Sequence, residues 1–204
     1  DLIEVIPAEP TKHDDFIQAI DKLGPKCALH VTHHRALDKL VPVVYNLDFL
    51  RIYVDAAKRQ QPPVHPIPVH IKVDTGMHRL GFDWKDPSAL MAFLSEPAHS
   101  SVEVRSLLSH LASADAPEMD GYTHQQAARF TEFCNHFPKA ERHLLNTAGM
   151  LRFPEYAYDA VRLGIGLYGI APFEGGGDVV QLEEIGSLHS VITQLHDYPA
   201  GAAI

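Results

Sequence analysis

Short apolar runs alternate with longer stretches of helical spacing along most of this chain. The runs are 27–31, 41–46, 70–73, 104–109, 143–145 and 160–163. Buried parallel strands read as unbroken apolar runs of this kind. Helical patterns fall between them at 11–23, 48–59, 87–95 and 121–137. Thr11 is set as an N-cap, with Gly24 past the end of that helix. Phe49, Tyr53 and Ala56 share a face in the second. Asp86 caps the third with Pro87 at its first position, and Thr123 caps the fourth, whose stripe is Ala127, Phe130, Phe133 and Phe137. Strand–helix alternation restricts the chain to a parallel α/β sheet or barrel.

The segment 70–82, HIKVDTGMHRLGF, is the most informative stretch. A strand, His70-Ile71-Lys72-Val73, runs into a polar loop holding Asp74, Gly76, Arg79 and Gly81. In parallel α/β folds, active sites gather at the carboxyl ends of strands. The proline-rich connector 61–68 excludes a helix interior and delivers the chain into this strand.

Composition narrows the function. The 204 residues are 46% hydrophobic and 21% charged, enough for a real core. A net charge of −9 argues against nucleic acid as partner. No apolar run reaches the roughly 20 residues of a membrane span. The beginning lacks a signal-peptide pattern, and it lacks a Met. Cys27 and Cys134 make no disulfide framework, so a reduced, cytoplasmic setting is the simpler reading. The 14 histidines show no zinc-ligand spacing, and His33 and His34 point apart, so no metal site is expected.

Several residues could carry chemistry. Arg79 offers a fixed guanidinium fork to a phenolate or carboxylate, against the plain reading of a surface loop arginine. Lys72 sits inside an apolar strand, where a charge needs a partner or a chemical change, unless it snorkels at the edge. His110 follows a strand-like run and could stack on a planar ligand, or serve only structure. Asn146-Thr147-Ala148-Gly149 suits phosphate binding or an ordinary helix cap. Arg162 precedes Gly164-Ile165-Gly166-Leu167-Tyr168-Gly169, which lets backbone approach an anion. The latter fits the letters of a dinucleotide loop but stands late in the chain, without the required βαβ unit. Cys134 and His136 lie at a helix end, where core packing outweighs a thiol-nucleophile reading.

From about Val41 onward these segments, in order, resemble the alanine racemases, enzymes that use pyridoxal 5'-phosphate (PLP). HIKVDTGMHRLGF, SHLASADAPEMDGYTHQQAARF and LLNTAGMLRFPEYAYDAVRLGIGLYGIAP carry the likeness, and SLHSVITQLHDYPAGAAI resembles the entry to the family's second domain. Residues 1–40 match poorly. The resemblance implies an α/β fold of the parallel (β/α)8 TIM-type barrel, partial in this chain and spanning 1–174. The start of a C-terminal β-domain then occupies 175–204, with 187–194 as a β-type segment. It also implies a homodimer, and racemisation of L- and D-alanine for cell-wall supply by two proton-transferring bases. By the same likeness, Arg79 faces the PLP phenolic oxygen and the substrate carboxylate, and His110 packs near the ring. Asn146 and Thr147 help hold the cofactor, with Thr147 on its phosphate. Gly164 and Ile165 give that phosphate backbone N–H groups. Lys72 matches a lysine often carried as a carbamate. Arg162 faces the pyridine nitrogen. Because a guanidinium keeps its protons, that nitrogen stays unprotonated, which favours racemisation over transamination.

The family's PLP lysine motif and its second-base tyrosine are both missing. The expectation is an internal fragment, the lysine upstream of Asp1 and the tyrosine beyond Ile204, with little activity of its own. A racemase for serine or a broader amino-acid range, and a non-catalytic PLP-binding barrel protein, are the alternatives.

Overall fold

The computed structural model describes residues 41–59, 65–174, 182–183, 189–197 and 199–201. The expected strand 27–31, the helix 11–23, Cys27, the His33-His34 pair and residues 61–64 of the connector lie outside the described residues, as does the expected boundary at Gly175.

The strands are β1 (Val43–Val44), β2 (Ile67–Asp74), β3 (Phe82–Asp83), β4 (Val102–Leu108) and β5 (Glu141–His143). The helices are α1 (Leu47–Arg59), α2 (Ser88–Ser95), α3 (Asp120–Cys134) and α4 (Thr147–Arg152). All strand pairs are parallel, in the order β1-β2-β4-β5, with short β3 beside the end of β2. A single parallel bridge, His143 to Ala160, carries the order one step further. The spatial order thus follows the chain order and never turns back. A doubly wound sheet reverses at a switch point, whereas a barrel advances in one direction. The fold is a partial TIM-type barrel.

Alternation along the strands sorts residues to two sides. Val44, Ile71, Val73, Leu107 and Leu144 join the helix-facing core with Phe49, Phe130 and Phe133. Burying each such side chain stabilises the fold by roughly 1.5–3 kcal/mol. On the opposite side of β2 and β4 stand His70, Lys72, Ser106 and Leu108, all buried. The His70 Nδ1 pairs with the Ser106 hydroxyl there. Burial on both faces is why β2 reads as a continuous apolar run.

Local chemistry sets the element ends. Asn46 Oδ1 accepts from Phe49 N–H at 2.8 Å and starts α1. The buried stripe of α1 is Phe49, Leu50, Val54 and Ala57, so Tyr53 and Ala56 flank it rather than lead it. Helix α2 begins one residue later than expected, with Pro87 at the cap, while Asp86 Oδ1 accepts from Ser88 N–H at 3.0 Å. Helix α3 starts at Asp120, not at a Thr123 cap, and Thr123 is buried within it. The expected strand 160–163 shrinks to the one bridge at Ala160, whose N–H donates to the Arg142 carbonyl, because Arg162 then donates to the Leu145 carbonyl, one residue out of register for a continued ladder. Residues 189–194 of the expected β-type segment are not in a strand. Val191 and Ile192 are 81% and 77% exposed. No described helix is long and apolar enough to cross a membrane.

Candidate functional site

The carboxyl ends of β4 and β5 and the segment after Ala160 surround a cavity of about 530 Å³. His110, Asn146, Thr147, Arg162, Gly164 and Ile165 all line it. The structure therefore brings together six of the residues singled out in the sequence, from three separate segments.

Asn146 and Thr147 act as cap and first residue of α4. Asn146 Oδ1 accepts from Gly149 N–H at 2.8 Å, which starts the helix and aims its first turn at the cavity. NTAG is thus a helix cap, and its Asn146 and Thr147 also line the cavity. The buried Thr147 hydroxyl accepts from Gly164 N–H at 3.0 Å and from Gly166 N–H at 3.4 Å. Gly166 permits this approach, since a Cβ there would come 2.6 Å from Thr147 Cγ2. Ile165 opens the 3₁₀ turn Ile165–Tyr168, where the first N–H groups have no partner within the turn. One hydroxyl and a run of N–H donors thus meet at a single point of the wall.

Arg162 is anchored to the strand ends. Its Nη1 donates to the His143 carbonyl at 2.8 Å, and its Nη2 donates to the Ser109 carbonyl and, at 3.4 Å, to that of Leu144. The guanidinium is thereby fixed where β4 and β5 finish. Its charge, after burial, helps hold the His143 imidazole below its ordinary range, while Glu141 opposes the shift.

Arg79 and Lys72 do not line this cavity. Arg79 is exposed on the loop after β2 and makes no hydrogen bond or ion pair among the described residues. Lys72 is buried within β2. The loop between them is nonetheless built. Asp74 Oδ1 accepts from Gly76 N–H at 2.9 Å and His78 N–H at 3.0 Å. Gly81 has φ of +137°, and a Cβ on it would lie 2.7 Å from the Val73 carbonyl carbon. Two α3 residues clamp the loop from outside. Tyr122 donates to the Gly76 carbonyl at 2.6 Å and Arg129 to that of Thr75 at 2.9 Å, its guanidinium 5.3 Å from the Trp84 ring centre. Met77, on the same loop, reaches the cavity wall.

Sequence reasoning missed Tyr122, Gln126 and Arg129. One signal existed for Gln126. It interrupts the apolar stripe of α3 with an amide at a buried position, and a buried amide needs partners. Cys134, by contrast, is buried in the core, which pushes its thiol up to about 12 and removes it as a nucleophile.

The alanine racemase N-terminal domain family matches residues 19–172. An alanine racemase of Nitratidesulfovibrio vulgaris (strain Miyazaki F) is 35% identical over 176 residues, covering 81% of this chain and 45% of the relative. One from Nostoc sp. is 33% identical over 144 residues, covering 68% of this chain and 36% of the relative. This chain thus spans less than half the length of either. Among solved structures, an alanine racemase of Clostridium difficile 630 superposes with a TM-score of 0.68 over 90% of this chain and 43% of the other, at 23% identity, which speaks to the fold. One from Bacillus anthracis with bound L-Ala-P gives 0.60 over 73% of this chain and 39% of the other, at 26% identity. A barrel arc of this topology, a cavity at its strand ends and a family match over most of its length lead to one conclusion: the chain belongs to the alanine racemase family.

Proposed function

We propose that this chain is the cofactor-holding barrel portion of a PLP-dependent alanine racemase. The convergence of His110, Thr147, Arg162, Gly164 and Ile165 on one cavity carries the reading. The residues fit PLP. A phosphate needs a hydroxyl and N–H donors at one point: the Thr147 hydroxyl and the Ile165 N–H stand there, and the Gly164 N–H, which here donates to Thr147, would turn to the phosphate. A flat heteroaromatic ring needs a planar neighbour and a fixed donor, which His110 and Arg162 offer. The volume lies within the roughly 300–1,000 Å³ of small-molecule sites.

When bound, PLP draws electrons from the substrate's Cα and so acidifies its hydrogen. The chain's own contribution is positioning. Arg162 holds a permanently protonated donor at the strand ends, which keeps the facing acceptor unprotonated. Thr147 and the backbone donors of Gly164 and Ile165 fix the anionic end, with Asn146 holding α4 in place. Arg79, on its clamped loop, would approach the cofactor's phenolic oxygen and the substrate carboxylate. Buried Lys72 would carry a carbamate that answers the charge of Arg79.

Alanine as substrate is supported by the relatives' names and by the bound L-Ala-P of the Bacillus anthracis protein. Homodimer formation and a cytoplasmic setting belong to the same reading, as does a β-domain starting near residue 175.

Absorbance titration of the 204-residue chain with PLP tests the cradle. Saturable, stoichiometric binding is expected, and its absence sinks the proposal. Offering alanine and serine enantiomers to a polypeptide of the relatives' full length tests the substrate, and faster turnover of serine would overturn alanine.

A further inference from the structure

Gln126 is buried at the inner face of α3, yet every polar atom of its side chain is engaged. Its Oε1 accepts from Ala112 N–H at 2.9 Å. Its Nε2 donates to the His110 carbonyl at 3.0 Å and to the Thr75 hydroxyl at 3.3 Å. The amide therefore grips the chain on both sides of Leu111 and the end of β2 together. Thr75 passes the connection on, since its hydroxyl lies 2.7 Å from that of Ser109. The Ser109 carbonyl in turn receives the Arg162 guanidinium. One side chain on a helix outside the sheet thus holds the His110 carbonyl directly, and connects to Arg162 by way of Ser109, whose hydroxyl meets Thr75 and whose carbonyl meets the guanidinium.

We propose that Gln126 is a positioning residue for the cofactor site. It sets where His110 stands in the cavity wall and, through Thr75 and Ser109, steadies Arg162. This rests on the reading of the cavity as a PLP site. The physical case is that residues 110–112 lie past the last ladder bond of β4, which the Ser109 N–H gives to the His143 carbonyl at 3.2 Å. Beyond Ser109 no strand pairing holds the chain, and a loop without ladder hydrogen bonds takes its position from side chains. A planar amide with one acceptor and two donors can hold a carbonyl and an N–H at the same time. No apolar residue of similar size could do so.

The test uses the full 204-residue chain as wild type, Gln126→Leu and Gln126→Glu. Hydrogen–deuterium exchange is read without cofactor, and affinity by PLP titration. In Gln126→Leu, exchange across 109–113 is expected to rise roughly tenfold and PLP affinity to fall roughly tenfold, while β2 and the rest of α3 keep their protection. Gln126→Glu keeps the acceptor for Ala112 and is expected to fall between. Wild-type exchange at 109–113 in Gln126→Leu overturns the proposal. So does faster exchange with unchanged PLP affinity, and so does a loss of protection spread evenly over the chain, which would mark a purely structural role. If Gln126→Leu does not fold, wild-type exchange and affinity in Gln126→Glu overturn it instead. A wild-type chain that binds no PLP refutes the cofactor reading separately, and the exchange data alone then decide whether Gln126 positions the loop.

Discussion

The Thr147 hydroxyl stands 3.0 Å from the Gly164 amide nitrogen, so the first turn of α4 and the chain after the last bridge are pinned at one point of the cavity. Neither element owns the site alone. Thr147→Val keeps the shape and removes the acceptor, and PLP affinity should drop roughly tenfold by titration. Thr147→Ser should stay within about threefold of wild type, since the hydroxyl remains. Equal binding by all three would remove Thr147 from the cradle.

The same contact constrains Gly166. A methyl group there would meet Thr147 Cγ2 at 2.6 Å. Gly166→Ala should therefore cost about 1–3 kcal/mol of stability, the usual penalty for overpacking. Thr147→Ser deletes the opposing methyl, so the double variant should recover most of that loss. Urea unfolding of the four proteins measures it, and strictly additive effects would contradict the clash.

His143 gives the fold a pH dependence of known sign. Burial, then the Arg162 charge, holds its imidazole below the ordinary 6.5, against a smaller opposing effect of Glu141. Between 6.5 and that lower value the unfolded chain binds the proton and the folded chain does not. Stability is then full above 6.5 and is lost as pH falls from there toward the folded-state value. His143→Gln should lose less stability than wild type between about pH 7.5 and 5.5. Urea midpoints that fall in parallel would show that His143 titrates normally.

The clamp on the β2 loop can be read by proteolysis. Arg79 is exposed, but its loop is held by Tyr122 at Gly76 and by Arg129 at Thr75. Tyr122→Phe removes one hydrogen bond and leaves the ring. Trypsin should then cut after Arg79 several-fold faster than in wild type, relative to its other sites. An unchanged cleavage pattern would place the loop's rigidity in Asp74 and Arg129 instead.

Strands β2 and β4 were legible in the sequence because a buried strand leaves a local signal, whereas β5 is shifted two residues toward the N-terminus of its expected run and short β3 left no apolar run to read. An apolar run with glycines after it announces a buried strand and its loop, and β2 and the 74–81 loop stand where that pattern put them. The convergence of His110, Thr147, Arg162 and Gly164 followed from the ordered resemblance rather than from spacing. Helix α4 was not legible as a helix. It is only six residues long, and its capping asparagine reads equally as a phosphate turn. The clamps were invisible for another reason. Tyr122, Gln126 and Arg129 bond partners 46, 51 and 54 residues earlier, and no periodicity reports contacts at that separation.

Gly81 lies against the backbone of Val73 and Asp74, the residues from which its own loop departs. The excursion is thus closed on itself like the eye of a needle, with its circumference set by the residues from Asp74 to Gly81. For folding, such a closure tolerates exchange of its exposed Arg79 far better than a change in the number of its residues. An inserted residue could not slide back into β2 without shifting its register and turning its side chains to the opposite face. Variation here should therefore proceed by substitution, leaving the length of the loop untouched.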